Sequence, residues 1–186
     1  MSTALLVMDV QRAIVDIADD DSGYLPRLRR AIDGARESNI PVIYVVIALR
    51  PGFPEVGTRN RALSAIARAR LYIEGAPGTE IHPEVAPLPG DVVVTKRRAS
   101  AFSGSDLDVV LRARGIDNLV LTGIATSAVV LHTLCQANDL DFGLTVLSDA
   151  CLDTDPEMHR ILIERLFPQW ADVVTVDDWL KTIAPQ

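Results

Sequence analysis

An aspartate and a lysine stand where two apolar runs end, and both side chains can exchange protons. Asp9 directly follows residues 4–8, and Lys96 directly follows residues 91–95. A carboxyl group at the end of a buried strand is unfavourable unless it is paired or used, although it can also cap a helix. Lysine occurs at positions 96 and 181 only, and a desolvated lysine can lose its proton, which arginine cannot. The pair predicts acid–base chemistry by Asp9 with Lys96 as its partner.

Six short runs predict the strands that would carry these residues. Several runs are apolar without alternation, which is typical of strands covered on both faces, as in a parallel sheet. Helical patterns with apolar residues three and four apart separate the runs. The predicted strands are residues 4–8, 42–49, 91–95, 118–122, 143–147 and 172–176, and the predicted helices are residues 24–39, 58–70, 105–114, 126–140, 156–167 and 177–183.

This alternation predicts a doubly wound α/β fold with three layers, in which a six-stranded, mostly parallel sheet lies between helices. Ligands bind such sheets beyond the carboxyl ends of the strands, so functional residues are expected there. The fourth predicted strand runs into a small-residue turn at 122–128. The helix that begins at this turn offers free N–H groups suited to a carboxylate or an oxyanion, unless Thr126 or Ser127 simply caps it.

Together the three strand ends resemble the isochorismatase-like hydrolase family. The matching segments are Leu-Val-Met-Asp-Val-Gln at 6–11, Lys96 followed by Ser-Ala-Phe at 100–102, Leu-Thr-Gly-Ile-Ala-Thr at 121–126, and Ser-Asp-Ala-Cys at 148–151. The resemblance implies the same six-stranded fold and a cis peptide bond between Ile124 and Ala125. It also implies that Asp9 and Lys96 are the first two members of an Asp-Lys-Cys triad.

The resemblance ends at the third member of that triad. In members that use a cysteine, the nucleophile lies three residues after the threonine of the turn, which is Val129 here. We therefore predict a subgroup that lacks the nucleophilic cysteine. Cys151 and Ser127 remain as alternative nucleophiles, although Cys151 lies between carboxylates that would raise its pKa and Ser127 has no evident histidine base. Cys135 is expected to be a small buried apolar residue.

The resemblance leaves one chemistry that needs neither a thiolate nor a metal. Siderophore-type isochorismatases hydrolyse a vinyl ether by protonating its carbon from an aspartate, after which water adds. Asp9 would be this acid, with Lys96 tuning it. The Asp-x-His zinc pattern of nicotinamidases is missing after the second predicted strand, where the sequence is Leu-Arg-Pro-Gly-Phe-Pro-Glu at 49–55. We therefore expect no metal and no cofactor, and packing or surface roles for His82, His132 and His159.

Seven further residues are predicted to bind the substrate. Arg50 and Phe53 follow the second predicted strand, where a guanidinium and a ring could hold a carboxylate and a flat molecule, unless this segment is a stiff exposed loop. The resemblance implies the other five, which are Gln11, Phe102, Ala125, Thr126 and Val129. Specificity is expected to depend on loops 50–59 and 72–89, and the substrate is expected to be small and anionic or cyclic.

Composition narrows the remaining possibilities. A chain of 186 residues that is 48% hydrophobic is typical of one globular domain, which we assign to residues 1–186. A net charge of −7 disfavours a nucleic-acid partner. Two cysteines are too few for a disulfide scaffold, and no apolar run is long enough to cross a membrane, so a cytoplasmic protein is expected.

Two readings of the function therefore stay open. The first is a small-molecule hydrolase that acts through Asp9 and Lys96. The alternative is a catalytically silent family member that binds a small molecule or serves as an assembly partner. The helix predicted at 126–140 is apolar on more than one face, so a homodimer or homotetramer is expected unless neighbouring helices of the same chain cover it.

Overall fold

Six parallel strands form one sheet in the order β3-β2-β1-β4-β5-β6 in a computed structural model, which describes residues 2–18 and 23–184. Every neighbouring pair of strands runs parallel, which confirms the predicted sheet. The strands are β1 Thr3–Met8, β2 Val42–Ile47, β3 Val92–Lys96, β4 Asn118–Ile124, β5 Gly143–Leu152 and β6 Asp172–Val174.

Helices cover both faces of this sheet. They are α1 Arg12–Ala18, α2 Tyr24–Glu37, α3 Arg61–Arg68, α4 Leu107–Ala113, α5 Leu131–Asp139, α6 Pro156–Ile161 and α7 Val176–Ile183. A wider, π-helical turn Thr126–Val130 leads into α5, and a second one, Leu162–Leu166, extends α6. Short 3-10 turns lie at Pro77–Thr79, Pro83–Val85 and Phe167–Gln169.

Two apolar layers hold the helices on the sheet. Side chains alternate along β1, so Leu5 and Val7 pack beneath α1, α2 and α7, while Leu6 and Met8 pack against α4 and α5. All six residues of β2 are buried, which explains why its sequence shows no alternation. The predicted three-layer α/β architecture is therefore confirmed.

The element boundaries differ from the prediction in a few places. Helix α1 was not predicted from the sequence. Only two of its seven residues, Val15 and Ala18, are buried, so its apolar pattern is too short to indicate a helix. Strand β5 continues to Leu152 rather than ending at residue 147. Helix α3 starts at Arg61 because the side chain of Asn60 accepts a hydrogen bond from the N–H of Leu63 and so caps it.

Strands β1 and β4 approach each other very closely at their carboxyl ends. Gly123 of β4 has a φ of +141°, and a Cβ atom at this position would lie 2.2 Å from the carbonyl oxygen of Met8. A side chain would therefore push the two strands apart. The strand order reverses between β1 and β4, where crevices for ligands form in α/β sheets, so Gly123 sets the backbone beneath such a crevice.

The outer face of α5 is exposed in the isolated chain. His132 and Cys135 lie on this face, and Ala128 of the preceding turn is exposed beside them, while Leu134 and Ala137 pack inward. Neighbouring helices of the described chain therefore do not cover it. The expected homodimer or homotetramer stays a prediction, which light scattering of the purified protein would test.

Candidate active site

The carboxylate of Asp9 is fixed just beyond the end of β1. Its backbone has a φ of +56°, in the left-handed region that aspartate adopts more readily than most residues. Its N–H donates to the carbonyl oxygen of Val45 in β2 at 2.8 Å, which ties the turn to the neighbouring strand. The side chain is 8% exposed, so the sheet edge holds a buried acid.

Lys96, the last residue of β3, reaches this carboxylate from two strands away, since β2 lies between β1 and β3. Its Nζ lies 2.9 Å from Asp9 Oδ2 and also donates to the carbonyl oxygen of Arg98 at 2.9 Å. The lysine side chain is 1% exposed. Asp9 Oδ1 is buried and has no hydrogen-bond partner among the described residues. The two side chains thus form a buried ion pair with one unsatisfied carboxylate oxygen.

Burial and the neighbouring Lys96 charge shift the pKa of Asp9 in opposite directions. Desolvation raises the pKa of Asp9 above its ordinary value, and the neighbouring Lys96 ammonium offsets that increase without cancelling it. Asp9 therefore holds its proton to a higher pH than an exposed aspartate does. A general acid works best when its pKa lies near the operating pH, and this shift moves Asp9 in that direction.

A cavity of about 500 Å³ opens over the ion pair at the carboxyl edge of the sheet. Asp9 and Lys96 line it together with Ala125 and Val129, so the structure brings these four predicted site residues to one place. Ala125 follows β4, and Val129 lies on the π-helical turn that begins one residue later. The peptide bond between Ile124 and Ala125 is cis, which confirms that expectation.

Helices α1 and α3 supply most of the opposite wall. Their lining side chains are apolar: Ile14, Ile17, Ala18, Ala62, Leu63 and Ile66. Tyr72 adds a phenol, and its backbone is held in the left-handed region, with a φ of +58° and its carbonyl oxygen accepting from the N–H of Leu49 at 2.7 Å. Burial raises the pKa of Tyr72, and the nearby Asp9 charge raises it further. The cavity is thus an apolar chamber with polar groups at a few points.

Three residues predicted to bind substrate do not line this cavity. Gln11 is fully buried, and its amide exchanges two hydrogen bonds with the backbone of Ile47, which closes the end of β2. Phe102 packs in the core, with its ring centroid 5.9 Å from that of Phe142. Thr126 turns its hydroxyl toward Nδ1 of His159 at 2.8 Å. These contacts hold together the elements that form the site, and none of the three side chains lines the cavity.

Arg50 and Phe53 also lie away from the cavity, contrary to the expectation for the second strand end. Arg50 is exposed and pairs with Glu55, with Nη1 and Oε1 3.7 Å apart, in a separate shallow groove. Phe53 is half-buried in a tight turn, where its N–H donates to the carbonyl oxygen of Arg50. The turn folds the loop back on itself. The segment is therefore closer to the stiff loop that the sequence analysis gave as the alternative to a substrate-binding loop.

Sequence reasoning missed several residues that shape the site. Tyr72 gave no signal beyond its place in a loop expected to affect specificity. Asp153 is buried, and its Oδ2 accepts from the N–H of Ser127 at 2.7 Å, so a carboxylate caps the turn after β4. The contact between Thr126 and His159 joins residues 33 positions apart. For these residues, the sequence offered one signal, which is the acidic side chain of Asp153 two positions after the Ser-Asp-Ala-Cys segment.

Neither cysteine lines the cavity. Cys151 is buried in β5, and burial raises the pKa of its thiol to about 12. Cys135 lies on the exposed side of α5 rather than in the core, contrary to the prediction, and its thiol pKa is also raised by partial burial. A thiol with a raised pKa carries little thiolate and is a poor nucleophile near neutral pH.

We expect iodoacetamide at pH 8 to modify Cys135 slowly in the folded protein and to leave Cys151 unmodified until the chain is unfolded. The reason is that Cys151 is both inaccessible and protonated. Intact-mass and peptide mass spectrometry would measure the labelling. Cys135→Ser should abolish labelling of the folded protein, and fast labelling of Cys151 would contradict this view of the thiols.

Within residues 2–18 and 23–184, no three side chains of His, Cys, Asp or Glu come together in a way that could hold a metal ion. Likewise, no helix in the described part of the chain is long and apolar enough to cross a membrane.

An open parallel sheet with a buried ion pair beneath an apolar cavity at its carboxyl edge is the arrangement in which α/β proteins commonly form ligand sites. The isochorismatase domain model matches residues 3–178, and the chain belongs to the isochorismatase family. The isochorismatase family protein YwoC of Bacillus subtilis is 31% identical over 181 residues, covering 97% of this chain and 94% of that protein.

Two further relatives extend the comparison. The ureidoacrylate amidohydrolase RutB of Pseudomonas syringae is 34% identical over 209 residues, covering 98% of this chain and 84% of that enzyme. The structure of an isochorismatase family protein from Burkholderia thailandensis superposes with a TM-score of 0.84 at 29% identity, covering 98% of this chain and 95% of that one. The resemblance seen in the sequence is thus confirmed at the level of family and fold.

Proposed function

We propose that this protein hydrolyses a small cyclic or anionic metabolite by proton transfer at Asp9, with Lys96 as the partner that holds and tunes the acid. The proposal uses neither a cysteine nucleophile nor a metal. One observation carries it: Asp9 lines the cavity as a buried acid, with one carboxylate oxygen held by Lys96 and the other unpaired among the described residues. An unsatisfied buried acid of this kind is typical of functional sites.

The proposed reaction consumes only the substrate and one water molecule. For an enol ether, the Asp9 carboxylic acid gives its proton to the vinyl carbon, and water adds to the resulting oxocarbenium ion. The adding water returns a proton to the Asp9 carboxylate. The hydrated carbon then breaks its bond to the alkoxy oxygen, which leaves as an alcohol, while the carbon becomes a carbonyl. Lys96 keeps the carboxylate oriented throughout, because its Nζ holds Oδ2.

The test is a turnover screen with the wild type and the Asp9→Asn variant. Phenyl vinyl ether, p-nitrophenyl acetate, hydantoin and benzamide represent enol ethers, esters, cyclic ureides and amides, and mass spectrometry would detect the products. RutB, an amidohydrolase, makes the C–N substrates a natural part of the panel. The proposal expects turnover that depends on Asp9, and turnover that survives Asp9→Asn in full would overturn it.

The second candidate is a silent member of the family that binds a small molecule without converting it. Val129 favours this candidate, because the turn places an inert side chain at the cavity wall where cysteine-using members, by the sequence resemblance, carry their nucleophile. Tight binding of a panel compound with no product would support it.

Replacing Val129 by cysteine should create esterase activity. The new thiol would line the cavity with Asp9 and Lys96, so the acid would face a nucleophile across a site already formed. Hydrolysis of p-nitrophenyl acetate and its loss after iodoacetamide treatment would measure the gain. Val130→Cys is the matched control, because Val130 lies on the same turn but is buried in the core and does not line the cavity. Equal rates for the two variants would show that the remaining site does not activate a thiol.

A further inference from the structure

Resting on the proposed function, we infer that the substrate is an uncharged molecule with an apolar body and that the cavity discriminates against carboxylates. Two positive features border the cavity, the Lys96 ammonium and the turn that begins at Thr126. Each is already neutralised by a buried carboxylate of the chain. Of the two substrate types that the sequence left open, the cyclic, uncharged type therefore fits and the anionic type does not.

The Lys96 ammonium is not available as an anion-binding group. Two of its three donors are used by Asp9 Oδ2 and by the carbonyl oxygen of Arg98, both at 2.9 Å. A substrate carboxylate that approached the third donor would lie beside Asp9. Whenever Asp9 is ionised, the two like charges would repel each other in a poorly solvated site.

The turn after β4 carries its own anion. The N–H of Ser127 donates to Asp153 Oδ2 at 2.7 Å, and Oδ1 of the same carboxylate accepts from the N–H of Asp155 at 3.1 Å. Asp153 is buried, so its charge is poorly screened. The start of a helix favours a negative charge, and here the protein itself provides that charge. A bound carboxylate would have to compete with Asp153.

The other cationic side chains near these strand ends do not compensate. Arg50, Arg97 and Arg98 line the separate groove rather than the cavity, and Arg97 pairs with Glu74 at 3.1 Å. His132 lines the cavity at an exposed position, with Nδ1 2.7 Å from the carbonyl oxygen of Ala128 in the preceding turn. The exposed imidazole therefore adds no buried cation to the cavity.

The apolar walls of the cavity also disfavour a charged ligand. Ile14, Leu63 and Ile66 present hydrocarbon to the cavity, and the polar groups of Tyr72 and Asn60 are neutral. Moving a carboxylate from water into such surroundings without a paired cation is strongly unfavourable. An uncharged ring instead gains from burying apolar surface, and about 500 Å³ accommodates one or two rings.

Binding of matched pairs of neutral and anionic probes tests this selectivity without requiring turnover. We would titrate benzamide against benzoate, and indole-3-carboxamide against indole-3-carboxylate, by isothermal titration calorimetry at pH 7. Each amide should bind at least about tenfold more tightly than its carboxylate. Equal or tighter binding of the carboxylates would overturn the inference, and so would failure of both amides to bind at about 10 mM.

A pair of alanines on α3 provides matched variants. Ala62 lines the cavity and Ala65 does not, and both are exposed, so an arginine is tolerated at either position. Ala62→Arg adds a cation to the wall and should reduce the preference for benzamide over benzoate by about tenfold or more. Ala65→Arg should leave it unchanged. An unchanged preference in Ala62→Arg would contradict the assignment of the cavity as the binding site.

Removing the charge of Asp153 tests whether this carboxylate repels anions from the turn that begins at Thr126. Asp153→Asn keeps an oxygen for the N–H of Ser127 but removes the negative charge, so benzoate should bind several-fold more tightly. Asp155→Asn is the control, because this exposed residue caps α6 and asparagine caps equally well. Identical benzoate affinities in the two variants would show that Asp153 does not repel anions.

These results separate the inference from the proposed function. A preference for carboxylates would overturn the substrate class while leaving Asp9-dependent turnover intact. Full turnover by Asp9→Asn would overturn the proposed chemistry while leaving the binding selectivity as measured.

Discussion

Asp9→Asn should reduce kcat/KM by about 10²–10⁴-fold for the substrate that the turnover screen identifies, which is the usual contribution of a positioned general acid. Asparagine preserves the shape of the side chain and removes the proton that the reaction needs. The effect should fall on kcat more than on KM, because protonation occurs in the transition state. Steady-state kinetics of the purified variant would measure it.

Two controls separate chemistry from folding. Asp16→Asn makes the same charge change on an exposed position of α1 and should retain full activity. Asp9→Asn also leaves the Lys96 ammonium buried without its counter-charge, so thermal unfolding must accompany the kinetics. The double variant Asp9→Leu/Lys96→Met replaces both charges by apolar groups, and it should be folded yet inactive. An active double variant would exclude Asp9 as the acid.

Lys96→Met should lower the free energy of unfolding by about 3–5 kcal/mol, because it leaves the Asp9 carboxylate buried without a cation. Methionine preserves the apolar part of the side chain, so the change isolates the charge. Urea denaturation with a linear extrapolation would measure the difference. The second lysine of the chain is the control: Lys181 pairs with Asp178 on the exposed surface, and Lys181→Met should leave the unfolding midpoint unchanged.

The loss in Lys96→Met should also depend on pH. Without the lysine, burial raises the pKa of Asp9 further above its unfolded value. A carboxyl group whose pKa is raised by folding stabilises the fold while it is protonated, and this contribution is lost as the pH rises through the folded-state pKa. The difference from wild type should therefore be largest at neutral pH and smaller near about pH 4. A difference that grew at low pH would contradict this account.

The proximity of Asp9 and Lys96 could be predicted from the sequence because it depends on regular structure alone. Continuous apolar runs predict parallel strands, and the carboxyl ends of parallel strands meet at one edge of the sheet. The alternative for Asp9, a helix cap, does not describe its position. Ala125 and Val129 were predicted from the family resemblance rather than from the strand pattern, and both line the cavity at this edge.

The remaining wall could not be predicted because irregular backbone determines it. Tyr72 reaches the cavity because its residue adopts a left-handed conformation, which no apolar period signals. Arg50 points elsewhere because its own loop folds back onto Glu55. Helix α1 leaves Ile17 exposed at the cavity, so its apolar pattern is too weak to be recognised as a helix.

The division of the cavity between strand ends and helices has a practical consequence for protein engineering. Asp9 and Lys96 follow and end strands of the sheet and pair with each other, and the close approach of Gly123 to Met8 packs the backbone next to Asp9 tightly. The facing wall consists of side chains on α1 and α3, two of which, Ile17 and Ala62, are exposed. Saturation libraries confined to those two helices should therefore yield altered substrate scope with little loss of soluble, folded variants.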